Sequence, residues 1–578
     1  MPLSRRFRVA LATLLLLAPA ALADGPPSPL RLVPAETDLL LSVPDARRVA
    51  ETILGLELVP KLGQFSAYRE VIDSTNFRHF RQFLAYYEKE MGAPWPQLLD
   101  EVAGGGAVVG IKFGKDPAPA LLVVQGKDEK RVERFARLAF DLLEQETVRQ
   151  DERARVTKGK YEGVQTIQVG DKFFAAVAGT AILLSNQEKT LHAGLDLHLG
   201  RGGKSCADVP AVGQAAKLLP TRPLASLWLN LETVKKDANA AAAFRMAPRD
   251  DPVQTILFGG YLDVVGRSPF LAAALVREGE DFLVTVRMPK GREGMGADSL
   301  LHVPPAGSTG SRPLLQPKGV IFSTSFYLDV GRIWQDRDKL FPEKVAKAFE
   351  KADKDTNAFL TGLKISKILP QVGSYHRFVI AAHPASPGHS PSRPETAFAV
   401  VTDLREPEKF SQSVETALRG AALLAGFKVK LKLVEEKVGD VKLVGYRFAE
   451  EQPEYPNVDE NVFRSYSPCF ARVGDQFFVC SSLDLGRELI GILQNEKKGG
   501  SSDAVRSRLF GAGAADTLQL LEDQLVTQGV LDRALPVDRA TAEVKAALAL
   551  LRSLGPLNID VRYHDDHFSY DFRLKGLK

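Results

Sequence analysis

The chain has 578 residues, 45% of them hydrophobic and 25% charged, which is the profile of a globular protein with more than one core, since single cores stop growing at roughly 250–300 residues. Lys+Arg 75 against Asp+Glu 71 leaves a formal charge of +4, far from the concentrated basic field of a nucleic-acid binder. Near-average glycine and proline usage excludes collagen-like and disordered classes, and only 3 cysteines exclude a disulfide-dense scaffold or a zinc ribbon.

The chain opens with a targeting pattern. Arg5, Arg6 and Arg8 form a basic region, residues 9–17 are apolar, and Ala21-Leu22-Ala23 fits a small-x-small cleavage site. These parts predict a secretory signal peptide over residues 1–23, with Asp24 as the first mature residue. The apolar stretch is shorter than the ~20 residues a bilayer-spanning helix needs, and no later segment stays apolar for ~18 residues. The expectation is export to the periplasm or beyond the cell, without a transmembrane span in the mature chain.

The mature sequence reads as one pattern written twice, over residues 30–292 and 312–578, joined by a Gly/Ser/Pro-rich linker at 293–311. Asp38-Leu39-Leu40-Leu41-Ser42-Val43 opens the first copy and Gly319-Val320-Ile321-Phe322-Ser323 the second. Helical stretches follow at 77–89 and 342–352. Ala107-Val108-Val109-Gly110-Ile111 and Ala120-Leu121-Leu122-Val123-Val124 form a strand pair. It corresponds to Arg377-Phe378-Val379-Ile380-Ala381 and Ala397-Phe398-Ala399-Val400-Val401. A helix comes next in each copy. Val132, Phe135, Ala139 and Leu142 line one face of the first, and Phe410, Val414, Ala417 and Ala421 one face of the second. Residues 427–433 alternate Phe, Val and Leu with lysines, as a half-buried edge strand does.

Tyr161-Glu162-Gly163-Val164 and Val438-Gly439-Asp440-Val441 lead into further strands. Hairpins are expected at 174–185, around Gly179-Thr180, and at 469–480, around Gly474-Asp475. Helices follow at 188–199 and 483–494. Strand–turn–strand units close the copies at 270–288 and 557–574. The expected class is α+β, a tandem duplication in which each copy is a mostly antiparallel sheet with helices packed on one face.

Several of these segments carry a family resemblance. The opening Val33-Pro34-Ala35-Glu36-Thr37-Asp38, the glycines before Ala107, the Lys-x-Glu helix from Lys127, Tyr161-Glu162-Gly163-Val164 and Gly203-Lys204-Ser205-Cys206-Ala207-Asp208 resemble a family of secreted bacterial proteins catalogued as a domain of unknown function. The second copy departs where Gly499-Gly500-Ser501-Ser502-Asp503 stands. The resemblance implies export and this organisation; it brings no activity, cofactor or catalytic residue.

Candidate chemistry is sparse. His564-Asp565-Asp566-His567 combines two imidazoles and two carboxylates, a weak transition-metal candidate that also reads as a polar hairpin turn. Counting outward from Gly474-Asp475 sets Cys469 opposite Cys480, within reach of a disulfide; the alternative is a pair of buried thiols. Cys206 stays single and lacks a histidine motif that would make it a nucleophile. Gly104-Gly105-Gly106 precedes a strand rather than following one, and Gly203-Lys204-Ser205 lacks the upstream glycine, so neither is a phosphate loop. No catalytic residue and no cofactor are assigned. Two insertions, 384–394 and 450–465, mark the second copy; the latter is an acidic loop and a candidate for contacting a partner. The reading is an exported, non-enzymatic binding or structural protein of the cell envelope, its partner an unknown protein or envelope component. Alternatives are a hydrolase with a dispersed site and a carrier of an apolar ligand.

Overall fold

The computed structural model describes residues 27–114, 116–150, 156–237, 241, 244, 247–359, 364–383, 395–426, 429–449, 465–497 and 499–576. The expected signal peptide (1–23) and the insertions 384–394 and 450–464 lie outside the described residues. Two compact units are present. One comprises Met1–Gly55, Ser74–Gln214 and Arg222–Leu227; the other comprises Leu56–Asp73, Ala215–Thr221 and Trp228–Lys578.

The first unit contains β1 (Leu39–Val43), β2 (Gly106–Ile111), β3 (Ala120–Gln125), β4 (Val156–Tyr161), β5 (Val164–Val169), β6 (Phe173–Ala178) and β7 (Ala181–Ser185). Its longer helices are α1 (Ala46–Leu54), α2 (Thr75–Met91), α3 (Trp95–Ala103), α4 (Glu129–Gln150) and α5 (Glu188–His198). The strands pair antiparallel in the order β1-β2-β3-β7-β6-β5-β4. Asp45 and Ser74 cap α1 and α2 by accepting from the backbone N–H of Arg48 and Phe77, satisfying donors that a helix start leaves open. Val132 and Ala136 of α4 pack with Ile182, Leu184 and Val124 on one sheet face. α5 lies on the other. A Cβ at its Gly194 would stand 2.9 Å from Leu183 Cδ2 and 3.1 Å from Leu121 Cδ2, so glycine sets how closely helix and sheet approach.

After β8 (Ala225–Asn230), the second unit holds β9 (Phe270–Glu278), β10 (Asp281–Pro289), β11 (Val320–Tyr327), β12 (Val372–His383), β13 (Glu395–Leu404), β14 (Leu431–Val438), β15 (Val441–Phe448), β16 (Cys469–Val473), β17 (Gln476–Cys480), β18 (Val505–Leu509), β19 (Leu557–Tyr563) and β20 (His567–Leu574). Its longer helices are α6 (Pro252–Arg267), α7 (Glu343–Phe359), α8 (Pro407–Ala425), α9 (Leu483–Gln494), α10 (Gly511–Gln519), α11 (Glu522–Arg533) and α12 (Val537–Ser553). The antiparallel order is β14-β15-β16-β17-β13-β12-β11-β18-β19-β20-β10-β9. Leu483, Leu489 and Ile490 of α9 pack with Val379, Ala399, Cys469 and Phe478 on one face. Phe410 of α8 meets Phe477 edge-on at 5.4 Å on the other, with Phe470 and Val444.

The structure corrects the expected fold class in two ways. The strands form one continuous antiparallel sheet of 20 strands rather than two separate sheet-and-helix copies. Within the second unit β10, assigned to the first copy, runs an eight-residue ladder with β20, from Phe282↔Leu574 to Pro289↔His567. The unpaired edge of one terminal hairpin thus finds the other. Helices also cover both faces rather than one, because alternate strand residues are apolar on both sides.

Two smaller differences have local causes. The alternating stretch expected from 427 becomes strand only at Leu431, because α8 runs on to Ala425, where the Ala425 carbonyl accepts from the Val429 N–H. Residues 293–311 carry a short helix, Ser299–His302, with Leu301 buried inside the second unit.

Candidate ligand-binding groove

The hairpin β4–β5 faces α4 across a groove of about 1010 Å³. Its floor comes from alternate strand residues. Lys158 and Lys160 of β4 stand across from Ile167 and Gln165 of β5, and Gln165 is followed on the same face by Val177 of β6. Its wall is one stripe of α4 at helical spacing: Glu129, Glu133, Arg137, Phe140 and Asp141. His198, in the last turn of α5, closes one end, and burial lowers its pKa below the usual imidazole value. The floor is therefore basic and the wall mostly acidic. Lys158 meets Glu144 at 3.0 Å, and Arg137 meets Glu133 at 3.6 Å. These pairs are largely exposed, so solvent screening leaves each of them weak.

On the opposite face of β4, Tyr161 stacks on His192 with centroids 3.8 Å apart and donates to Asp196 Oδ1 at 2.8 Å. That hydrogen bond raises the tyrosine pKa. The tight turn has positive φ at both Glu162 (51°) and Gly163 (90°), which matches the twist of a two-residue hairpin.

The residues singled out from sequence are placed as follows. Cys469 and Cys480 are directly opposed on β16 and β17, both buried, and both are free thiols. Each donates to the carbonyl of Ser482, at 3.3 and 3.2 Å. The neighbouring Cys480 thiol, and burial, hold the Cys469 thiol well above the usual range. Residues 564–566 connect β19 to β20, whose first residue is His567. The imidazoles of His564 and His567 stack at 4.1 Å, His567 Nδ1 lies 2.7 Å from Asp566 Oδ1, and the Asp565 side chain is 98% exposed. Among the described residues no three His, Cys, Asp or Glu side chains converge as a metal-ligand set.

Cys206 is buried, burial pushes its thiol up to about 11, and it donates to the Pro34 carbonyl at 3.1 Å. The segment around it is a staple. Ser205 and Asp208 form a capping box, and Ser205 bridges to Pro34; Ser501 makes the equivalent bridge to Ser311.

Sequence reasoning missed the groove, because a charged stripe on a helix reads as a solvated face. It also missed a buried ionic network in the second unit. Arg377 is 2% exposed and binds Glu496 and Gln476. Nearby, Arg312 binds Asp403 through Nε at 2.9 Å and lies over Tyr375 at 5.4 Å. Burial raises the Asp403 pKa against the pull of Arg312. A readable signal existed: Arg377 shares its parity with the inward-facing Val379 and Ala381.

No protein-family model and no curated protein matches the chain. Among solved structures, crystal forms IV, III and I of TP0453 are similar at 11%, 12% and 9% identity. They cover 47%, 46% and 47% of this chain and 83%, 82% and 82% of their own, with TM-scores of 0.25, 0.25 and 0.24. At such scores the likeness carries no argument about fold or function. The resemblance to a secreted domain of unknown function therefore rests on its motifs alone. No helix among the described residues is long and apolar enough to cross a membrane.

Proposed function

We propose that the protein is an exported, non-enzymatic binding protein of the cell envelope, and that its ligand occupies the groove between α4 and β4–β6. The observation that carries this reading is the groove itself. Its volume of about 1010 Å³ sits at the upper end of ligand sites. Basic floor and acidic wall face each other across it with Phe140, Val164 and Ile167 between, which suits a ligand of mixed charge and some apolar surface. Export is carried by the basic and apolar pattern of residues 1–23. N-terminal sequencing of the exported protein should begin at Asp24.

The test is site-specific photo-crosslinking in the producing cells, from Arg137 or Lys160 and from the exposed control Lys189. Adducts unique to the groove positions, lost in Phe140→Glu, are expected. The same adducts from Lys189, or none from the groove, would remove the reading.

One observation favours a second reading, a carrier of an apolar ligand. In the second unit a groove of about 400 Å³ is lined by Leu518, Leu525, Leu535, Val544, Leu548 and Leu551. Fluorescent fatty-acid titration separates the two: saturable binding lost in Leu548→Glu would support the carrier.

A further inference from the structure

We infer that the free edge of β4 takes up an extended, acidic polypeptide segment by strand addition, with the groove receiving its side chains; this rests on the groove being the ligand site. β4 pairs with β5 along its full length, from Val156↔Val169 to Tyr161↔Val164. Among the described residues no strand pairs with its other side.

The turn fixes which backbone groups face outward. In a two-residue hairpin the pair flanking the turn, here Tyr161 and Val164, exchanges both hydrogen bonds, and hydrogen-bonded pairs then alternate with unbonded ones. Gly159 and Thr157 follow Tyr161 in pointing their N–H and C=O towards β5. Val156, Lys158 and Lys160 point theirs away.

The same alternation puts the side chains of Lys158 and Lys160 on the groove floor. Three residues thus supply both an open ladder of donors and acceptors and two ammonium groups beside it. A six-residue edge at about 3.3 Å per residue spans roughly 20 Å. Only another polypeptide backbone repeats N–H and C=O at that spacing, so the ladder selects a peptide over a sugar or a polyphosphate.

The lysines select the charge. Residues directly opposite Lys158 and Lys160 on an added strand come within cross-strand contact, and opposite charges are favoured there. Lys158 already holds Glu144 at 3.0 Å, so an incoming carboxylate substitutes for a contact of known geometry. Lys160 has no ion-pair partner among the described residues. Edge lysines also serve to block unwanted pairing between sheets. The inference differs from simple edge protection in requiring that an acidic strand be accepted.

The experiment uses the full mature protein and a fluorescein-labelled heptapeptide, Thr-Glu-Val-Glu-Val-Glu-Thr, followed by anisotropy. Three comparisons are made: the peptide with lysine in place of glutamate, the acidic peptide N-methylated at alternate residues, and the protein variant Lys158→Glu/Lys160→Glu, checked for folding by circular dichroism. Saturable binding of the acidic peptide is expected, weakened at least about tenfold by each change, the measure of 1.4 kcal/mol, and weakened by added salt.

Absence of binding up to about 1 mM peptide, a free energy near −4 kcal/mol, overturns strand addition. So does equal binding of the N-methylated peptide, which keeps the charges and loses the donors without altering the protein. Groove-specific crosslinks that persist while the peptide fails to bind leave the groove as the ligand site and reject the peptide. Loss of both removes the two readings together.

Discussion

Two hairpins occupy comparable positions, each between a helix on either face of its own unit, and they are held differently. In the second unit β14–β15 is clamped from both sides. Arg419 of α8 binds Glu435, and Arg487 of α9 binds Glu436 at 2.7 Å. In the first unit Arg201 binds Glu162 at the turn of β4–β5, while along β4 itself the hairpin is tied to α4 by Lys158–Glu144 and to α5 by Tyr161–Asp196. A guanidinium holds a carboxylate with a planar fork, whereas an ammonium is a single point charge on a flexible stem. The clamped hairpin is therefore built to be a fixed edge. The other is fixed by a guanidinium only at its turn, and β4 is held beside the groove by a lysine. Position within a sheet does not decide role; the closing contacts do.

This contrast can be strained at several points. The largest effects lie under the hairpins, where α5 and α9 approach the sheet through glycine. A Cβ at Gly486 would meet Cys469 Sγ at 2.7 Å, as one at Gly194 meets Leu183 Cδ2. Gly194→Val and Gly486→Val should each cost about 2–3 kcal/mol in urea unfolding through overpacking. A clearly smaller loss at Gly486 would mean that the cysteine pair yields where leucines do not.

Oxidation of the second unit comes next. Cys469 and Cys480 are directly opposed, as Phe174 and Ser185 are in the first unit. A thiol-oxidising treatment should join them, with stabilisation of about 2–3 kcal/mol from a loop this short. One reactive thiol, Cys206, should then remain in the unreduced, denatured protein; three would show that the pair stays open.

Arg419→Ala and Arg487→Ala should each cost up to about 1 kcal/mol, since both pairs are partly exposed. Both should also increase amide exchange in β14. Lys158→Ala should leave the urea midpoint unchanged, consistent with a contact that yields to a ligand. A loss as large as those of the arginines would make β4 a clamped edge like β14.

Local chemistry made much of this legible from sequence. The hairpin 469–480 and the helix 483–494 fall where apolar periodicity and the Gly474-Asp475 turn place them, because neighbouring residues determine both. The helices over 511–553 went unassigned; α11 has too weak an apolar stripe to announce itself. The merging of strands into one sheet was not legible, since the pairing of Thr285 with Asp571 joins residues 286 apart and leaves no trace in either segment. The groove was hidden for a different reason. Charges on α4 look alike whether they face water or a ligand.

The ladder between β10 and β20 has a consequence for how the chain is made. Its partners lie far apart in sequence, 286 residues between Thr285 and Asp571. High contact order slows folding, and an unpaired strand edge invites association with other chains. β10 must therefore wait, with one edge unsatisfied, until β20 has been synthesised. Arg287 and Thr285 then both engage Asp571, and the unit closes. A chain cut before residue 567 should keep β10 open and enter aggregation or degradation.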